Sequence, residues 1–123
     1  VKLTHARLYA TPEGESRWED IDAALSPMDF APPAPPLHLS NPRNATSVRF
    51  LAAPPGWEGK PHPTPRRQIF VVLSGCMEGT ASDGSVRTFG PGQALLMEDT
   101  FGRGHASRVV GDEPMTSMVI SLE

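Results

Sequence analysis

The sequence has a single cysteine, Cys76, so no disulfide can close within its 123 residues and the fold must rest on its core. No apolar run approaches the length of a membrane-crossing helix or of the core of a secretory leader. The expectation is therefore a soluble protein in a reducing, cytoplasmic setting with no membrane partner. Basic charge is also scarce: 11 Lys and Arg against 14 Asp and Glu leave a net charge of −3, and only Arg66 and Arg67 cluster, so no nucleic-acid partner is expected. Helical periodicity of useful length is missing, and there is no internal repeat. Proline and glycine are abundant, at 14 and 11 residues, and they cut the chain into short segments. The length suits one domain with one core.

Taken in order, those segments read as strands. Leu3 to Tyr9 alternates, with Leu3, His5, Arg7 and Tyr9 on one face and Thr4, Ala6 and Leu8 on the other, as an outer strand would. Thr11 to Ser16 is a turn, and Arg17 to Ala24 is either a short strand or an irregular helical turn. Pro27 to Pro36 holds five prolines, which favour an extended polyproline segment wrapping the surface, covering a sheet edge or meeting a second subunit. Ala45 to Ala53 is a strand in which Val48, Phe50 and Ala52 alternate with Ser47, Arg49 and Leu51. Further on, Asp83-Gly84 marks a hairpin between a strand ending at Thr80 and one running from Val86 to Phe89. Gln93 to Met97, His105 to Val110 and Met115 to Leu122 follow as strands. Eight or nine short strands predict an all-β barrel or jelly roll in a single domain, residues 1–45 supplying N-terminal strands and the proline-rich wrap and 46–123 the barrel.

The segment most suggestive of chemistry runs from Gly56 to Gly75, GWEGKPHPTPRRQIFVVLSG. Its first half is broken by glycine and proline and reads as a loop or ragged strand edge; its second half, from Arg67 to Ser74, is a strand with Gln68, Phe70 and Val72 on one face. A second glycine-broken turn, Asp99 to His105, also ends in a histidine at the mouth of a strand. A closed sheet can bring two such histidines together.

These residues resemble the first motif of the cupin superfamily, G-x5-H-x-H-x3-4-E-x6-G, with Gly56, His62, Thr64, Gln68 and Gly75 at its five positions. Thr64 and Gln68 replace the second histidine and the glutamate. The second motif, G-x5-P-x-G-x2-H-x3-N, is looser: from Gly92 it places Glu98, Thr100 and Arg103 at the proline, glycine and histidine, with the histidine two residues late at His105 and Val109 at the asparagine. The run E-D-T-F-G-R-G-H resembles a subgroup of small bacterial single-domain cupins of undefined activity. The resemblance implies a double-stranded β-helix, a homodimer, and a barrel interior where such motifs commonly hold a divalent metal.

On that alignment the tentative metal ligands are His62, His105 and Gln68, for Zn, Fe, Ni or Mn at reduced affinity or for no metal, since an anionic donor and an imidazole are gone. Glu98 or Asp99 is a candidate for the missing carboxylate. The ligand pocket is expected to comprise His62, Thr64, Gln68, Phe70, Asp99, His105 and Arg49. For each there is a plainer structural role: Gln68 satisfying polar groups inside the barrel, Asp99 capping its turn, Phe70 in the core, and Arg49 facing lumen or water. Three functions stay open: a module binding a small polar or anionic molecule, a metal-dependent isomerase, lyase or oxygenase, or an interaction protein with a vestigial pocket.

Overall fold

The computed structural model describes residues 1–123, and they form twelve strands and no helix. In chain order these are β1 (Lys2–Ala10), β2 (Ser16–Ala24), β3 (Ser26–Met28), β4 (Leu37–Leu39), β5 (Ala45–Ala53), β6 (Glu58–His62), β7 (Gln68–Ser74), β8 (Met77–Thr80), β9 (Val86–Phe89), β10 (Ala94–Glu98), β11 (His105–Val109) and β12 (Met115–Leu122). Ten of them form two facing sheets. The larger has the order β2-β1-β10-β7-β12-β5 and the smaller β6-β11-β8-β9. Every pairing is antiparallel except β1 with β10, which makes the N-terminal strands part of the barrel wall. This is the all-β jelly-roll domain that the strand pattern leads one to expect.

The alternation in each strand sets its inner face. On β1, Ala6 and Leu8 are buried inward; on β7, Val72 is fully buried on the face that also carries Gln68 and Phe70; Leu95 and Met97 of β10 complete the same wall. Met115 and Val109 close the core from β12 and β11. Arg17 to Ala24 is resolved as a strand because all nine residues of β2 pair with β1. The Asp-Gly hairpin forms as expected, with Gly84 at φ +86° and Asp83 accepting from the Ser85 amide.

One segment differs from expectation, and one expected as a loop or ragged strand edge takes the second form. The proline-rich stretch is no single extended wrap: Ser26–Met28 and Leu37–Leu39 pair as a two-stranded hairpin that belongs to neither large sheet. Its prolines occupy the turn and strand edges, where a missing N–H does no harm. The broken segment after Gly56 contains β6, whose pairing with β11 slips between His105 and Ser107; Pro61 lies in that slipped stretch. The sheet therefore reaches His62.

Candidate ligand-binding site

The two sheets enclose a cavity of about 270 Å³. His62 and His105 face each other across the β6–β11 pairing at one side of it, rings tilted 47° with centroids 5.2 Å apart. His62 is exposed at the mouth, whereas His105 is 6% exposed.

Each imidazole is held by its δ nitrogen. His62 Nδ1 lies 2.7 Å from the Lys60 carbonyl, which can only accept, so the hydrogen is on Nδ1 and Nε2 carries the lone pair. His105 Nδ1 lies 2.6 Å from Asp99 Oδ2. Asp99 is wholly buried, and its other oxygen accepts from the Thr64 hydroxyl at 2.6 Å, while the Thr64 amide bonds the Asp99 carbonyl. Two donors thus converge on the two oxygens of one carboxylate, and His105 is left with a free Nε2.

The loop that carries Asp99 and His105 is fixed by glycine. Gly104, at φ +67°, passes so close to the His62 carbonyl that a Cβ would collide with it. Buried Ser16 adds a tie, donating to the Gly104 carbonyl and accepting from the Ser82 amide.

The residues present do not fit the metal set that the motif implies. Nowhere in the chain do three or more His, Cys, Asp or Glu side chains converge on one point. Thr64, at the position of a histidine ligand, turns its hydroxyl to Asp99, and both Asp99 oxygens are engaged behind His105. Glu98 is held instead by Arg7 and Arg67. Burial alone would push its carboxyl up, but hydrogen bonds from the two guanidiniums outweigh this and hold it below the usual carboxylate value. What remains is two imidazoles and the amide of Gln68, whose nitrogen faces Met97 Sδ at 3.4 Å.

Among the expected pocket residues, His62, Thr64, Gln68, Phe70 and His105 line the cavity. Asp99 stands one layer behind, and Arg49 is exposed on β5 outside the lining, because the edge strand leaves its long side chain free to reach water. The lining is dominated by residues the motif does not name, among them Trp18, Trp57, Met77 and Leu51; 11 of its 18 residues are hydrophobic and none is Lys or Arg. A chiefly polar or anionic ligand does not suit such walls. The strand-interior glycines Gly59 and Gly79 carried the available signal, since glycine in a strand marks close approach by another group, here an indole at each.

A family model described as the cupin domain matches residues 49–121. No curated protein matches the sequence. Among solved structures, the polyketide cyclase RemF from Streptomyces resistomycificus is similar with a TM-score of 0.54 and 20% identity over 64% of this chain and 55% of that one. The chain thus spans about half the length of RemF. A conserved protein with a double-stranded β-helix domain from Klebsiella pneumoniae matches with a TM-score of 0.52 and 26% identity over 64% of this chain and 68% of that one. A protein from Rhizobium leguminosarum gives 0.51 and 21% over 62% and 69%. The shared feature is the fold.

Proposed function

The chain belongs to the cupin family, and from that premise we propose that its barrel binds a small, largely apolar molecule whose one polar group meets the imidazole pair by hydrogen bonding rather than through metal coordination. The observation that carries this reading is the Thr64–Asp99–His105 chain of bonds, which ends in an uncommitted Nε2 at a cavity whose walls are mostly hydrophobic. An acceptor that opens onto a largely apolar cavity is met best by a ligand that brings a donor to it while burying apolar surface around it. His62, exposed at the mouth with its own Nε2 free, offers a second acceptor to the same group.

The Asp99–His105 bond also favours a catalytic form of this reading. An imidazole oriented by a buried carboxylate can take a proton from an acidic C–H or O–H of the bound molecule onto Nε2. The carboxylate stays ionised and stabilises the imidazolium, and the proton returns to another atom of the ligand in a tautomerisation. No oxidant, reductant or metal enters that balance.

Imidazole nitrogen NMR tests the reading. Both rings are expected as Nδ1–H tautomers, with His105 losing that preference in Asp99→Ala. Titration with Zn²⁺ or Fe²⁺ is expected to show only weak binding. Stoichiometric metal held tightly and lost in His105→Ala would overturn the proposal.

A further inference from the structure

Beside the imidazole pair lies a row of small residues. Gly59 of β6 pairs with Ser107 of β11, and Ser107 pairs in turn with Gly79 of β8. Paired residues share a face, so these three positions form one line across the sheet that floors the cavity. Each glycine in the line sits against an indole. A Cβ on Gly59 would stand 2.7 Å from Trp57 Cη2, and one on Gly79 would stand 3.0 Å from Trp18 Cη2. Both tryptophans and Ser107 line the cavity. Glycine inside a strand weakens it, and here the two glycines make room for two broad aromatic walls with a serine between them on the floor.

The slot is continuous with the polar end of the cavity. His105 precedes Ser107 by two residues on β11, and both line the same space. A ligand whose polar group reaches His105 Nε2 therefore lays its body over Ser107, between Trp57 and Trp18. Among the remaining walls, Phe70, Met77, Met97 and Phe89 are aromatic or carry polarisable sulfur, both of which favour contact with aromatic rings, while Leu8, Leu51, Ala52, Ala53, Pro65 and Leu95 add aliphatic surface. The volume gives the scale of the part that is covered. A closed apolar cavity of about 150 Å³ takes one benzene ring, and the 270 Å³ here is a little under twice that.

Resting on the binding mode proposed above, we infer that the ligand is a flat bicyclic aromatic of naphthalene size bearing a hydroxyl at one end, seated between Trp18 and Trp57 with that hydroxyl donating to His105. With no Lys or Arg in the lining, an acidic group on its body would go unpaired.

The probes are 2-naphthol and trans-2-decalol, which share carbon skeleton and hydroxyl but differ in flatness and aromaticity. Binding is read by calorimetry and by the His105 ring resonances of the full chain. The expectation is that 2-naphthol binds and shifts the His105 Nε2 signal, that decalol binds about tenfold more weakly, and that Trp57→Leu removes most of the difference. Ser107→Leu, which fills the slot without touching the imidazoles, should abolish naphthol binding while leaving the His105 tautomer in place. Equal affinity for the two alcohols, with His105 perturbed by both, overturns the aromatic inference and leaves the binding mode standing. Naphthol binding that leaves His105 unperturbed overturns the inferred pose. Failure of 2-naphthol to bind overturns the inference, and failure of both alcohols, with His105 silent to each, overturns the binding mode as well.

Discussion

At the scale of single residues, the site turns on what Thr64 does with its hydroxyl. A buried carboxylate needs donors on both oxygens, and Asp99 has one each from Thr64 and His105. Thr64→Val keeps the shape and removes one donor, so it is expected to cost about 1–3 kcal/mol in denaturant unfolding, while Thr64→Ser should retain most of the bond. A valine variant as stable as the parent would mean that Asp99 finds another donor. Glu98 gives the residue-scale pH dependence. Its carboxyl is held below its ordinary value of 4.5 in the folded state. The stability it contributes is therefore fully present above pH 4.5 and is lost as pH falls through the lower, folded value. Because Arg7 and Arg67 keep 30% and 43% of their side-chain surface in water, the stability gap between the parent and Glu98→Gln should be about 1 kcal/mol or less at neutral pH, shrinking toward pH 3. A gap that widens in acid would contradict the assignment. The sequence displayed His62 through its motif spacing and His105 through the glycine-broken turn that ends in it, two residues past the motif position. It did not display the Thr64–Asp99 bond, which joins residues 35 apart. Asp99 was expected as a metal carboxylate, a pocket residue or the cap of its turn, and its two oxygens are held by Thr64 and His105, behind the cavity lining.

At the scale of elements, the strands were legible because alternation and turn chemistry agree. The bounds of Ala45 to Ala53 were readable to the residue, though not its inner face, since Val48 and Phe50 turn outward, and the inner face of β7 followed from its parity. The proline-rich stretch was not, because proline content constrains φ but leaves open whether the chain turns back on itself, as it does between β3 and β4. The two tryptophan walls were hidden for a related reason: Trp18 and Trp57 belong to no motif, and only pairing across three strands aligns their glycines. The loop between β10 and β11 supplies the test at this scale. Gly104 and Gly84 both have positive φ, at +67° and +86°, yet a Cβ would strike the His62 backbone at the first and meet nothing within 4 Å at the second. Gly84→Ala is therefore expected to cost only the left-handed penalty, about 1–2 kcal/mol. Gly104→Ala should cost clearly more and disturb the ring signals of both histidines, because the strand end must move to admit it. Equal losses at the two positions would show that the close approach does not constrain the site.

At the scale of the molecule, the surface is larger than one chain of this mass should need. A monomer of 13.3 kDa is expected to expose about 6,500 Å², whereas this chain exposes 7,557 Å². The excess of roughly 1,100 Å² exceeds the roughly 800 Å² that each partner commonly buries in a stable complex. Two features combine exposed apolar residues with unpaired strand edges. Strand β5 is an edge, bonded only to β12, with Val48 and Phe50 exposed at 58% and 77%. The β3–β4 hairpin stands apart from both sheets and carries Met28, Phe30 and Leu37, each more than half exposed. A long, apolar, unpaired edge is a hazard in an isolated chain and is normally covered. We propose a second copy as the occupant, because a two-fold axis would bring edge to edge and bury the exposed apolar residues of both chains. The expected outcome in sedimentation velocity at micromolar concentration is a species of twice 13.3 kDa, shifted toward one chain by Phe50→Glu and by Phe30→Glu, with the double variant fully dissociated. Leu51 and Ala52 of the same strand line the cavity, so loss of the dimer should also weaken binding of 2-naphthol while the His105 tautomer persists. A parent chain that sediments at 13.3 kDa throughout that range would show that the edge is left open in solution and that the hairpin has no second copy to embrace.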